Sequence, residues 1–364
     1  MNGRSLTTIA VMGVLAALIA GCPPPAQDEI QVTVRGAGES ANELSREEIV
    51  ELARREAELW WYTSLPEEQA QQFLERFEEA HPYVDARLVR GSTFDIVRRV
   101  DRELARGQVR ADALHVLDPG VFDDLRRRGE LYAYRSEHAH HIPPEYQEPG
   151  QWTAMRAVVI CIAYDTTRRP DRLPETWPDL LDPRWREEIG LKDAQTGGSA
   201  YAQYYLLREE YGASFWRRMA AQRPQLFRSS SDTLNALTAG EIDLAGGILG
   251  YSVYQAMQEG TPVAPIWPRD GVPMTVGPVA ILSRAPHPHA AILFMDYALS
   301  QVGQQAIVEI SGCYSLRDDV EPPPERPALR ELNILAQEGS WSEYRLRQER
   351  LQSEYSRLFH PESE

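Results

Sequence analysis

From Leu59 onward the chain alternates short apolar runs with amphipathic stretches. Residues 59–62 read as a strand, and residues 66–80 place Phe73, Leu74 and Phe77 at helical spacing. Residues 84–89 alternate as a half-buried strand does, and 92–106 return to helical spacing. Residues 113–117 form another apolar run, and 119–128 a helix that Gly129 closes. Strand and helix in this rhythm predict an α/β fold with a largely parallel, buried sheet. A second unit of the same kind spans 189–265, with helices at 199–211, 214–221 and 231–239 and a short strand at 244–249. Two extended apolar segments, 154–164 (AMRAVVICIAY) and 274–282 (MTVGPVAIL), lie between the units. Two crossings between two α/β lobes predict a hinged clamshell. Its first lobe is 59–153 with about 283–320, and its second is 154–282 including the crossing strands. From Glu321 a proline-rich stretch (EPPPERP) breaks the chain. Residues 328–358 then read as a helix, so 321–364 are expected to form a structural brace without chemistry. No internal repeat is visible.

The N-terminus has a different pattern. Arg4 precedes an apolar run from about residue 9 to 20, too short to span a bilayer comfortably and followed by small residues. The junction Ile19-Ala20-Gly21-Cys22 resembles the lipobox of bacterial lipoproteins. That resemblance implies cleavage after residue 21 and lipidation of Cys22, which anchors a protein without a spanning helix. Pro23, Pro24 and Pro25 read as the start of a spacer. Residues 44–56 read as a short charged surface helix, so 22–58 are expected to be tether and the working part to begin near Leu59.

Composition narrows the chemistry. The chain has 364 residues, enough for two lobes, and its 43% hydrophobic and 25% charged content is that of a globular protein. A net charge of −16 repels phosphate backbones and argues against nucleic acid as partner. Three cysteines cannot staple a chain of this size. Lys192 is the one lysine among 38 basic residues, a bias read as compositional and without mechanistic weight.

Eight segments, in order, resemble the solute-binding proteins of bacterial ABC importers, in the subgroup for ferric iron, phosphonate or phosphate ester, and polyamine. They are WWYTSLPEEQAQQFLERFE, VRGSTFDIVRRV, ADALHVLDPG, GQWTAMRAVVICIAYDT, LPETWPDLLDPRWREEIGLKDAQTGGSAY, RSSSDTLNALTAGEIDLAGGILGYSVYQA, VPMTVGPVAILSRAPHPHAAILFMDYALSQVGQQAI and GCYSLRDDV. The resemblance implies a two-lobed type II periplasmic-binding-protein fold with two crossover hinge strands. It also implies capture of a small-molecule ligand without catalysis, and delivery to permease and ATPase subunits. A periplasmic or cell-surface location follows, with the membrane reached through the lipid anchor only. A monomer with no cofactor and no resident metal is expected.

The ligand must be read from the site. Ser/Thr/Gly-rich turns fall where strands end and helices begin: Thr63-Ser64, Ser92-Thr93, Gly198-Ser199 and Ser230-Ser231. A helix N-terminus offers free N–H groups and a positive dipole end, so these turns suit an oxyanion, although any one of them could be an ordinary cap. Arg156 on the first crossing segment is expected to grip a carboxylate or phosphate, with a hinge ion pair as its alternative. Tyr251 is expected to line the cleft and donate its hydroxyl. Together these point to a phosphonate, phosphate ester or carboxylate.

Ferric iron is the competing ligand, and a sensor without transport a further alternative. The family's iron binders commonly use adjacent tyrosines after the strand at 244–249, where this chain has Tyr251 and Tyr254 separated by Ser252-Val253. Tyr204 and Tyr205 are adjacent, but on a helix they point about 100° apart and suit packing. His138, His140 and His141 sit in a polar loop, His287 and His289 beside a helix start, and Asp118 reads as an N-cap on a cleft-facing loop. A bridge between Cys161 and Cys313 stays open at this level. There is no Gly-x-Ser-x-Gly elbow, P-loop or His-Glu-x-x-His, so an enzyme is not expected.

Overall fold

A computed structural model describes residues 44–168 and 171–361. The leader, Cys22 and the proline spacer lie outside the described residues. In chain order the elements begin with helix α1 (Arg46–Glu56), strand β1 (Glu58–Thr63), α2 (Glu67–Ala80), β2 (Asp85–Arg90), α3 (Thr93–Arg106), β3 (Ala113–His115) and α4 (Pro119–Arg127). Then come β4 (Gln147–Glu148), β5 (Trp152–Asp165), β6 (Ile189–Lys192), α5 (Ser199–Ala221), β7 (Gln225–Phe227), α6 (Ser230–Ala239), β8 (Leu244–Leu249) and α7 (Gly250–Gln258). The chain closes with β9 (Val263–Ile266), β10 (Val272–Ile281), α8 (Pro288–Leu299), α9 (Gln301–Ser311), β11 (Ile334–Leu335) and α10 (Trp341–Phe359).

The strands order as β2-β1-β3-β10-β5-β8-β6-β7. β1 runs parallel to β2 and β3, and β6 runs parallel to β7 and β8, as the alternating pattern predicts. β5 and β10 cross between these two half-sheets as an antiparallel pair, with Met274 opposite Val159 and Gly277 opposite Arg156. The far end of β10 joins the first half-sheet through Val279–His115, and the far end of β5 joins the second through Ile160–Leu249. Every residue of β10 is buried, because both faces of a crossing strand are covered. This is the two-lobed, two-hinge-strand arrangement expected from the sequence.

Each half has its own core. In the first, Trp61 on β1 meets Phe294 on α8 at 5.0 Å between ring centroids and Phe73 on α2 at 5.8 Å. In the second, Trp177, Leu180, Ile189, Leu207 and Leu244 are buried together. The halves are closed on each other. A β-carbon placed on Gly197, ahead of α5, would fall 2.7 Å from the Phe94 ring on α3.

Three features differ from the sequence reading. α1 belongs to the first lobe and not to a tether: Ile49 and Ala53, four residues apart, are buried in its core, and Arg46 pairs with Asp296 of α8 at 2.6 Å. Its Glu56 caps the first turn of α8, accepting from Ala290 N–H at 2.8 Å. The tail is not one helix: a short 3₁₀ turn and β11 precede α10, because Ile334 and Leu335 pair with Val272 and Pro273 of β10. The two helices expected between 199 and 221 are contiguous, with a break at Gly212, whose backbone is non-helical (φ 72°).

α10 spans both halves. On one side Gln348 donates to Asp118 at 3.3 Å, and Ser342 hydrogen-bonds Asp123 of α4. On the other, the Tyr344 ring lies 5.1 Å from Tyr201 and 4.7 Å from Tyr205 of α5, and Tyr355 lies 5.1 Å from Tyr204.

Candidate functional site

A cavity of about 350 Å³ lies between the halves, at the carboxyl ends of β1, β2, β6 and β8. In open α/β sheets this is where ligands bind. The first turns of five helices line it: α2 with Glu68 and Gln69, α3 with Ser92 and Thr93, α5 with Gly198 and Ser199, α6 with Ser230 and Ser231, and α7 with Tyr251 and Ser252. The serines divide the work. Ser92 and Ser229 are true caps, accepting from Asp95 N–H at 3.2 Å and from Asp232 N–H at 3.0 Å. Ser230 Oγ is buried with no hydrogen-bond partner. A buried hydroxyl without a partner is costly, so this one is available to a ligand. Ser64 lines the cavity and accepts from Leu117 N–H at 3.3 Å.

Three cations reach the same space: Arg90 at the end of β2, Lys192 at the end of β6, and Arg228 ahead of α6. Among the described residues none of the three forms an ion pair, in a chain with 54 acidic residues. Lys192 Nζ lies 3.4 Å from Ser199 Oγ. Partial burial, followed by the charge of Arg90, lowers its pKa to about 8. Glu68 supplies the one carboxylate on the wall. The sequence reading missed all three cations. The rarity of lysine was the available signal, and it was set aside as composition.

Arg156 requires a correction. Its side chain is fully buried beneath the cavity and is not among the residues lining it. Nε donates to His115 Nε2 at 3.1 Å and Nη1 to Cys313 Sγ at 3.1 Å, while Nη2 has no partner. Burial and the neighbouring guanidinium hold the His115 pKa well below its usual value, so the ring is neutral. Nε2 accepts from Arg156, which places the ring proton on Nδ1, 2.7 Å from Thr63 Oγ1. Thr63 is therefore part of this floor rather than of the wall, and its Oγ1 also accepts from Leu65 N–H at 3.0 Å. Thr63 is the last residue of β1, and Ser64, the first residue beyond it, lines the cavity instead. Neither the hinge ion pair nor the direct grip describes Arg156. Tyr251 forms the boundary between floor and wall. Its phenol pKa is raised, chiefly by burial and then by Cys313, against the lowering effect of Arg156.

The remaining candidates lie elsewhere. Asp118 caps α4, accepting from Gly120 N–H at 3.1 Å, and is fully buried beneath α10. Tyr204 and Tyr205 pack against α10, and Tyr254 stacks on Trp267. His287 and His289 bond to Asp112 and Glu56, the carboxylates that cap α8. His141 can approach Asp318 and Asp319, but both oxygens of Asp319 are held by Arg317 at 2.8 and 2.7 Å. Cys161 and Cys313 are both free and buried, so they are not bridged.

A sequence profile for bacterial extracellular solute-binding proteins matches residues 111–334. A Haemophilus influenzae protein carrying the description "uncharacterized protein" is 26% identical over 202 residues, 51% of this chain. The match spans 58% of that relative's length. Among solved structures, iron-bound HitA from Pseudomonas aeruginosa superposes with a TM-score of 0.73 at 20% identity, over 83% of this chain and 99% of that one. The periplasmic binding protein AfuA from Actinobacillus pleuropneumoniae, with fructose-6-phosphate bound, gives a TM-score of 0.74 at 21% identity, over 83% and 98%. The apo ferric ion-binding protein A of Pasteurella haemolytica gives 0.72 at 15%, over 85% and 100%. At these identities the structures establish the fold that is shared.

Proposed function

The chain belongs to the bacterial extracellular solute-binding proteins, a family of binders rather than enzymes, and from that premise we propose that it captures a small oxyanion for an ABC importer. The ligand is a phosphate ester, phosphonate or carboxylate, held between the lobes and passed to the permease. The observation that carries this reading is the wall: five helix N-termini and three cations that, among the described residues, have no ion-pair partner and are opposed by one carboxylate. Helix N-termini and arginine forks stabilise an anion without requiring a proton from it. Arg156 contributes from below the wall, through its field and the Tyr251 hydroxyl beside it.

The wall is a poor fit for ferric iron. A ferric ion takes hard anionic oxygens, and the cavity offers one phenol and one carboxylate against three positive charges. The test is a thermal-shift screen of phosphonates, sugar phosphates, carboxylates, polyamines and ferric citrate, since a ligand bound at a hundred times its Kd stabilises by about 2.7 kcal/mol. Oxyanions are expected to raise the melting temperature and ferric citrate to give no phenolate charge-transfer colour. A colour that disappears in Tyr251→Phe would reverse the assignment.

Membership of the extracellular solute-binding family supports action outside the cytoplasm, where solute is scavenged and then handed on. The lipobox-like junction supports a tether through Cys22. Cells carrying Cys22→Ser should release the protein from the membrane fraction, and retention of that variant would remove the tether from the proposal.

A further inference from the structure

Arg90 and Lys192 occupy the same cavity from opposite halves of the molecule. Arg90 ends β2, at the outer edge of the first half-sheet, and Lys192 ends β6, deep in the second. Closure therefore brings two like charges to one space, and no carboxylate pairs with either among the described residues. Glu68, the one carboxylate on the wall among the described residues, is 3.4 Å from Gln72 Nε2 and makes no ion pair with any of them. Arg228 adds a third positive charge from the second half. Ser199 Oγ lies 3.4 Å from Lys192 Nζ, Gln203 lies on the same side, and Tyr251, whose phenol stays neutral, lines the same cavity.

We propose that Arg90 and Lys192 form a charge gate, so that the lobes stay closed only when an anion bridges the pair. The gate is a specificity device as well as a conformational one. A neutral solute of the right shape could touch the same helix turns and still leave the two cations opposed. An oxyanion instead converts a repulsion across the cleft into two attractions. The depressed pKa of Lys192, due first to burial and then to the nearby Arg90 guanidinium, agrees with this arrangement. The proposal rests on the two-lobed oxyanion reading above, but it makes a statement about the ligand-free protein.

The experiment measures lobe separation without any ligand. Nitroxides on the exposed positions Glu75→Cys of α2 and Arg218→Cys of α5, in the Cys22→Ser chain, report the distance between halves, because Cys161 and Cys313 are buried. Lys192→Met and Arg90→Gln should each raise the closed-to-open ratio roughly three- to fivefold at low salt, the size expected of one partly exposed charge contact. Lys192→Glu, which replaces the repulsion with a cross-lobe ion pair, should raise it further. Added salt to 1 M should move the wild type toward closed, because the Debye length falls to about 3 Å, and should move Lys192→Met less, since only Arg228 then opposes Arg90. Identical distance distributions in wild type, Lys192→Met and Lys192→Glu would overturn the gate. If the oxyanion reading alone were wrong, the ligand screen would fail while these ligand-free distances still shifted.

Discussion

Replacing Lys192 by methionine is expected to weaken oxyanion binding by roughly ten- to a hundredfold. The lost contact is charge-assisted and partly desolvated, a class worth about 1.5–3 kcal/mol. The pH dependence separates a charge effect from a shape effect. In the ligand-free protein Lys192 titrates near pH 8, lowered from its ordinary 10.5 by burial and by Arg90. A bound anion favours the ammonium and raises that pKa. Affinity should therefore be level below about pH 8 and fall above it, by at most one decade per pH unit, until the raised pKa of the complex is passed. For a phosphate ester the second ionisation near pH 6 sets the acid limb, leaving an optimum between about 6 and 8. Titration calorimetry across pH 5–10 reads both limbs. Lys192→Arg should flatten the alkaline limb, since guanidinium stays charged throughout. An alkaline limb that survives in Lys192→Met would assign it to another group.

Gly197→Ala is expected to cost a further about 1–3 kcal/mol of closed-state stability, or up to about a hundredfold in affinity. Gly197 has φ 75° and ψ −165°, a backbone region that only glycine occupies comfortably. The new methyl would also meet the Phe94 ring at about 2.7 Å. The two causes can be told apart. Phe94→Ala in the same chain should recover the part due to the ring, because that contact exists only across the closed cleft. The backbone part should persist, and it should appear equally in the ligand-free melting temperature. Full recovery by Phe94→Ala would show that the backbone carries no strain.

The two-lobed fold was legible from sequence because its central strands β3, β5, β8 and β10 are buried on both faces and its helices are separated by clear turns. The crossing segments stood out for the same reason, as long apolar runs flanked by polar turns. α1 was misassigned because only Ile49 and Ala53 reach the core, too sparse a stripe to distinguish a docked helix from a surface one. The serine-bearing turns were found, but their division into caps and free hydroxyls was not. Ser229 and Ser230 are chemically alike, and only the backbone says which one closes the helix. Arg156 was placed on the wall because a lone charge in an apolar strand invites a ligand. Its acceptors, His115 and Cys313, lie 41 and 157 residues away in sequence and no local pattern connects them. Lys192 was overlooked for the opposite reason, since a single residue of a rare type makes no pattern at all.

The C-terminal helix holds its two neighbours by unequal means. Against α5 it sets aromatic rings and the Arg208–Glu354 pair at 2.8 Å; against α4 it sets polar contacts from Ser342 and Gln348 and packs Tyr344 and Arg345 closely on Gly120. Parting the jaws has to break one of these two seams, so α10 lies across the opening like a hasp. The interval for which cargo stays trapped can therefore change through residues that never touch the cargo.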